Sequence, residues 1–146
     1  MTDQQRILDR ALDFYGLREI PGEKNNPTIL KFFTDVGHKW VQSDETAWCS
    51  AFINWLAWDL RLSRSGELDA RSWLNVGEET LVPNKGDIAI LWRESIDSWK
   101  GHVGLYIRSN DSYIWLLGGN QSNEVNISAY PIGRVLEYRK LSYHGS

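Results

Sequence analysis

Apolar residues recur at helical spacing through the first half of the chain and at strand-like spacing through the second. Ile7, Leu8, Ala11, Leu12 and Tyr15 mark one face of a first helix, and Gly16 stands where a left-handed cap would end it. Pro21-Gly22 with Lys24-Asn25-Asn26 predicts a loop. Asn26-Pro27 then reads as N-cap and first residue of a short helix through Ile29, Leu30, Phe33 and Val36, stopped by Gly37. A third helix is expected from near Thr46–Trp48 to about Arg61, with Phe52, Ile53, Leu56 and Leu60 on its apolar face. A shorter fourth is expected from about Leu68 to Leu74.

Beyond Pro83 the period changes. Lys85-Gly86-Asp87 signals a turn before a strand over Ile88–Trp92. Further strands are expected at Gly101–Ile107 and, across a Ser109–Ser112 hairpin connection, Tyr113–Leu117. Val125–Ile127 and Val135–Tyr138 bring the total to about five. Helices first and an antiparallel sheet second is an α+β pattern. A length of 146 residues predicts one domain over 1–146, with no repeat and no linker.

Composition narrows the function classes. A chain that is 42% hydrophobic and 24% charged is globular rather than disordered. Sixteen Lys+Arg against nineteen Asp+Glu, with no basic run, leave no electrostatic footprint for nucleic acid. No stretch is long and apolar enough to span a membrane. The polar start Met1-Thr2-Asp3-Gln4-Gln5-Arg6 gives the expectation of cytoplasmic synthesis without a signal peptide. The single cysteine excludes an internal disulfide and a thiolate-only metal site, and neither His38 nor His144, in a tail expected to fray, shows metal-ligand spacing.

That cysteine, Cys49, falls near the expected start of the third helix, where unpaired N–H groups and the helix dipole favour an anion. Beside an imidazolium, such a thiol titrates well below its usual value of about 8.5. Taken alone, a cysteine among Trp48, Ala51 and Phe52 is equally a small buried hydrophobe. The sheet half adds His102, at a strand start between Gly101 and Gly104, which would leave room around its ring. Asn120 follows at the end of the next strand. In an antiparallel pair joined by a short hairpin, the start of one strand lies beside the end of the other, so His102 and Asn120 are expected as neighbours. A base and its orienting group require that geometry.

Taken in order, Trp48-Cys49-Ser50-Ala51-Phe52, Gly86-Asp87-Ile88, Gly101-His102-Val103-Gly104 and Gly118-Gly119-Asn120-Gln121 resemble the NlpC-like branch of the papain-like cysteine peptidases. More narrowly, they resemble a small NlpC/CHAP-related family of bacterial and phage cell-wall amidases, over roughly Asp44 to Tyr138. The resemblance implies N-terminal helices packed on the sheet, with Cys49 as nucleophile, His102 as general base and Asn120 orienting the ring. Gln121 is an adjacent candidate for that third role. Many members carry histidine there, and many have an upstream tyrosine at the oxyanion site. Here Trp48, Ser43 or a backbone N–H would substitute. No metal or organic cofactor is implied.

The implied substrate is the peptidoglycan stem peptide, cut at an amide bond by an endopeptidase or an N-acetylmuramoyl-L-alanine amidase acting through an acyl-enzyme. Arg93 and Lys100 are candidates to meet its carboxylates, and Trp99 to line the groove. Trp48 is also a groove candidate, whereas Trp55, Trp58 and Trp92 are expected in the core. A monomer is expected, reaching the wall by holin-type release or specialised secretion, with an immunity protein as partner in the second case. The alternatives are a catalytically silent wall-binding module on the same fold, or a thiolate acyltransferase.

Overall fold

A computed structural model describes residues 1–20, 25–42 and 47–144. The loop expected around Pro21-Gly22 and Lys24 lies outside them. Three α-helices precede a six-stranded antiparallel sheet: α1 (Asp3–Leu12), α2 (Pro27–Thr34), α3 (Cys49–Leu60), β1 (Glu78–Thr80), β2 (Ile88–Trp92), β3 (Gly101–Ser109), β4 (Tyr113–Gln121), β5 (Glu124–Pro131) and β6 (Val135–Lys140). The strand order is β1-β6-β2-β3-β4-β5. This is the expected α+β class, with one strand more than foreseen. β1 is three polar residues long and has no apolar alternation to announce it.

Local chemistry explains the helix limits. Thr2 caps α1 through a capping box with Gln5, and Asn26 caps α2 by accepting from the Thr28 N–H at 2.9 Å. Ile7 and Ala11 are buried, whereas Leu12, the last residue of α1, and Tyr15, in the turn that follows, are exposed. α3 ends at Arg61 in the left-handed conformation. The expected fourth helix is a 3-10 segment, Ala70–Asn75. The tail expected to fray is instead tied down as far as His144. Tyr143 bridges Leu62, and the His144 N–H donates to the Arg61 carbonyl at 2.7 Å.

α3 packs on β3 and β4, while α1 and α2 pack on α3. The main core lies between them and holds Phe32, Phe33, Trp48, Phe52, Leu56 and Trp73, all without exposure. A second, smaller core of Ala89, Leu91, Ile114 and Leu116 is covered by Tyr106, Tyr130, Tyr138, Ile132 and Val135. Among the described residues, no helix is long and apolar enough to cross a membrane.

Candidate active site

Trp48 is the N-cap of α3 and provides no side-chain cap, so the first N–H groups of the helix lack intrahelical acceptors. Cys49 is the first helical residue and is 7% exposed. Its neighbour Ser50 holds the helix start in place. The Ser50 hydroxyl donates to the Glu67 carbonyl at 2.7 Å and accepts from the Trp73 indole at 2.9 Å. Asn54, one turn on and fully buried, donates to the same Glu67 carbonyl at 3.0 Å.

His102 enters from β3 and is 6% exposed. Its side chain is close enough to Cys49 for each group to perturb the other's titration. The ring nitrogen Nε2 faces Gln121 Oε1 at 2.9 Å. The Gln121 amide nitrogen faces the carbonyls of Leu116 (3.2 Å) and Asn126 (2.8 Å) and Asn126 Oδ1 (2.9 Å), which fixes the amide with its oxygen toward the ring. Nε2 therefore carries the proton it donates to Gln121, and Nδ1 is the nitrogen left for Cys49. The Tyr130 phenol oxygen sits 3.2 Å from Nε2, with the two rings 5.1 Å apart. Burial pushes the Tyr130 phenol up, and the Cys49 charge adds to it, so the group stays neutral.

The electrostatics favour a charged pair. Burial alone would push the Cys49 thiol up. The hydrogen bond and charge of His102, with the backbone N–H groups of Val103 and Ser50, outweigh it and leave the thiol below its ordinary value. Burial would also lower His102, but the bond to and charge of Cys49, with the Gln121 bond, raise it above an ordinary histidine while Arg93 opposes.

The ring contact foreseen for Asn120 belongs to Gln121. Leu105 pairs with Leu117 and Tyr106 with Leu116, a register that, continued, would set Asn120 opposite His102. Asn120 instead adopts φ 57°, the β4–β5 register shifts between Gly118 and Gln121, and the Gln121 side chain takes the place beside the ring. Asn120 makes no side-chain hydrogen bond among the described residues; it lines the cleft beside His102. The glycines around His102 make room for other groups than its ring. A Cβ at Gly101 would stand 2.8 Å from the Leu91 carbonyl oxygen, and one at Gly104 would stand 3.1 Å from Leu116 Cβ.

Trp48 is neither a groove residue nor an oxyanion donor. It is fully buried, and its indole N–H donates to Glu19 at 2.9 Å. Ser43 lies outside the described residues. Of these candidates, the described residues offer a backbone N–H at the start of α3. A cleft of about 550 Å³ borders His102 and is lined in part by Arg93, Asn120, Gln121, Tyr130 and Arg134. Cys49 is not among its lining residues. Of the groove candidates, Arg93 lines this cleft, while Lys100 pairs with Glu94 at 2.7 Å and Trp99 stands 73% exposed outside it. The tryptophans expected in the core divide: Trp55 is buried, Trp58 is 42% exposed, and Trp92 lines the cleft.

Sequence reasoning missed Tyr130, Arg134 and Asn126. The strand expected at Val125–Ile127 stopped short of Tyr130, although alternation through Ser128 and Tyr130 continues it. Among the described residues, no group of three or more His, Cys, Asp or Glu could hold a metal ion. Neither a protein-family model nor a curated protein matches the chain.

Proposed function

We propose that the protein is a cysteine amidohydrolase of papain-like, NlpC-type architecture that cuts an amide bond in the peptidoglycan stem peptide. The observation that carries this reading is the convergence of Cys49, at a helix start, with His102, whose Nε2 faces Gln121 Oε1 at 2.9 Å. The stem-peptide substrate rests on the motif resemblance. Synthesis in the cytoplasm followed by holin-type release or specialised secretion belongs to the same proposal, as does an immunity protein if the chain is a secreted effector.

The chemistry follows from the geometry. The Cys49 thiolate attacks the amide carbonyl, and the Cys49 N–H supports the oxygen that becomes negative. As the C–N bond breaks, the His102 Nδ1 proton passes to the leaving nitrogen, giving a free amine and a thioester. Water then attacks the thioester with His102 as base. The C–S bond breaks, the carboxylic acid departs, and the imidazolium–thiolate pair is restored. Gln121 holds the ring and its tautomer without adding charge.

Purified sacculi incubated with the protein are expected to release muropeptides carrying one broken amide bond, identified by mass spectrometry, and Cys49→Ala is expected to release none. No new fragments from the unaltered protein would contradict the reading.

Gln121 and Asn120 should differ sharply. A hydrogen bond to a charged group is worth about 1.5–3 kcal/mol, so Gln121→Ala is expected to lower kcat/KM by about 10–100-fold. Asn120→Ala removes no bond to the ring and is expected to cost less than Gln121→Ala, its effect confined to the left-handed backbone at φ 57° and the cleft lining. Steady-state kinetics on a released muropeptide compares them, and the reverse order would return the orienting role to Asn120.

A further inference from the structure

The cleft beside His102 presents two guanidinium groups and no carboxylate. Arg93 follows the end of β2, and Arg134 lies in the short 3-10 turn Ile132–Arg134 before β6. The Arg134 guanidinium lies over the Trp92 ring, 5.1 Å from its centre, which restricts its plane. Among the described residues neither arginine forms an ion pair, a state shared by Arg61, Arg64, Arg71 and Arg108, and the charge of Arg93 is felt by its neighbour Glu94. The chain as a whole carries three more acidic than basic side chains, so two arginines and no carboxylate in one cleft lining are a local reversal. Asn120, Ser122, Asn123 and Ser128 complete the polar lining with neutral hydrogen-bonding groups. This is the chemistry of a site for anionic oxygen, in a volume suited to a ligand of dipeptide size.

The position of the cleft says which part of a substrate it meets. His102 borders it together with Gln121 and Tyr130, the partners of its Nε2, and Cys49 does not, so the cleft lies on the imidazole side of the thiol. We propose that the cleft is the leaving-group subsite, where Arg93 and Arg134 hold a carboxylate on the amine side of the scissile bond. The subsite rests on the amidohydrolase reading, while the carboxylate clamp itself does not need turnover. A carboxylate seated there would also oppose the charge of Arg93, which acts against the imidazolium form of His102.

The test uses the full chain with Cys49→Ala, so that nothing is consumed, and two probes of nearly equal shape. Glutamyl-alanine has a free amine and two carboxylates; glutaminyl-alaninamide keeps the amine and replaces both carboxylates with neutral amides. Calorimetric titration is expected to show the diacid binding about tenfold or more tightly than the diamide. That preference is expected to fall to within about threefold when Arg93→Gln and Arg134→Gln are combined. Thermal melting and amide NMR spectra of each variant establish that the fold is kept, and Arg134→Lys, which keeps the charge but loses the fork, should fall between. Equal affinity for the two probes, or a preference that persists in the double variant, would overturn the proposal. Acid-selective binding in a protein that releases nothing from sacculi would instead sink the hydrolase reading and the leaving-group assignment, and leave a carboxylate site.

Discussion

Replacing His102 with alanine is expected to lower amide hydrolysis by about 10³–10⁶-fold, close to the effect of Cys49→Ala, with little further loss in the double variant. Two roles disappear together. Cys49 is 7% exposed, and its burial pushes the thiol toward the neutral form. Without the imidazolium that opposes this, the nucleophile is protonated near neutral pH. The proton donor for the leaving amine is also gone. Residues that act as one unit give non-additive losses, so similar single and double effects would mark the pair as a unit. Steady-state rates on a purified muropeptide, beside circular dichroism showing an intact fold, provide the comparison. Activity within tenfold of the unaltered protein would remove His102 from the mechanism.

Gly119→Ala should also impair the protein, by a different route. A Cβ at this position would stand 2.7 Å from Trp48 Cζ3, 2.8 Å from Cε3 and 3.0 Å from Phe52 Cβ. Trp48 cannot give way easily. It is fully buried, its indole is bound to Glu19, and Phe32 and Phe52 pack around it. Overpacking of this kind costs about 1–3 kcal/mol. The strain falls on the residue immediately before Cys49, so α3 is expected to shift at its start and carry the thiol away from His102. A displacement near 1 Å is enough for about 10²-fold in rate. Urea unfolding and muropeptide kinetics should both register the change. Gly133→Ala, with nothing within 4 Å of the added carbon, should stay within about 0.5 kcal/mol. Equal behaviour of the two variants would show that the Gly119 contact carries no weight.

Gly118 serves the contact of His102 with Gln121 in the same manner. A Cβ there would come within 2.6 Å of Gln121 Oε1, the oxygen that faces His102. The Gly118-Gly119 pair thus admits the glutamine side chain on one side and the Trp48 ring on the other.

Much of the architecture was legible because local chemistry and tertiary packing agree. Asn26-Pro27 sets the start of α2, and the continuous apolar run Ile88–Trp92 coincides with β2. The same agreement put Cys49 at the start of α3 and His102 at the start of β3. Where tertiary contacts decide, the pattern was silent or misleading. Glu78–Thr80 becomes a strand only by pairing with β6. Asn120 lost the ring to Gln121 through a single left-handed residue, which hydrophobic alternation does not encode. Trp48 and Trp92 exchanged roles for a similar reason: proximity to the nucleophile in sequence does not tell which way an indole points. Arg134 is remote from the motifs in sequence, and only the turn before β6 brings it to the cleft.

The central claim is that Cys49 is a thiolate held by the His102 imidazolium. The two groups titrate as a pair. The proposed ion pair requires the lowered pKa of Cys49 to lie below the raised pKa of His102, so that the pair is charged between them and loses the imidazolium above. The direct measurement is the ultraviolet absorbance of the thiolate against pH, taken as the difference between the unaltered protein and Cys49→Ala. The account predicts that the thiolate signal rises well below the ordinary thiol value of about 8.5, and that His102→Ala moves the rise to or above that value. A signal that emerges only near or above about 8.5 in the unaltered protein would contradict it.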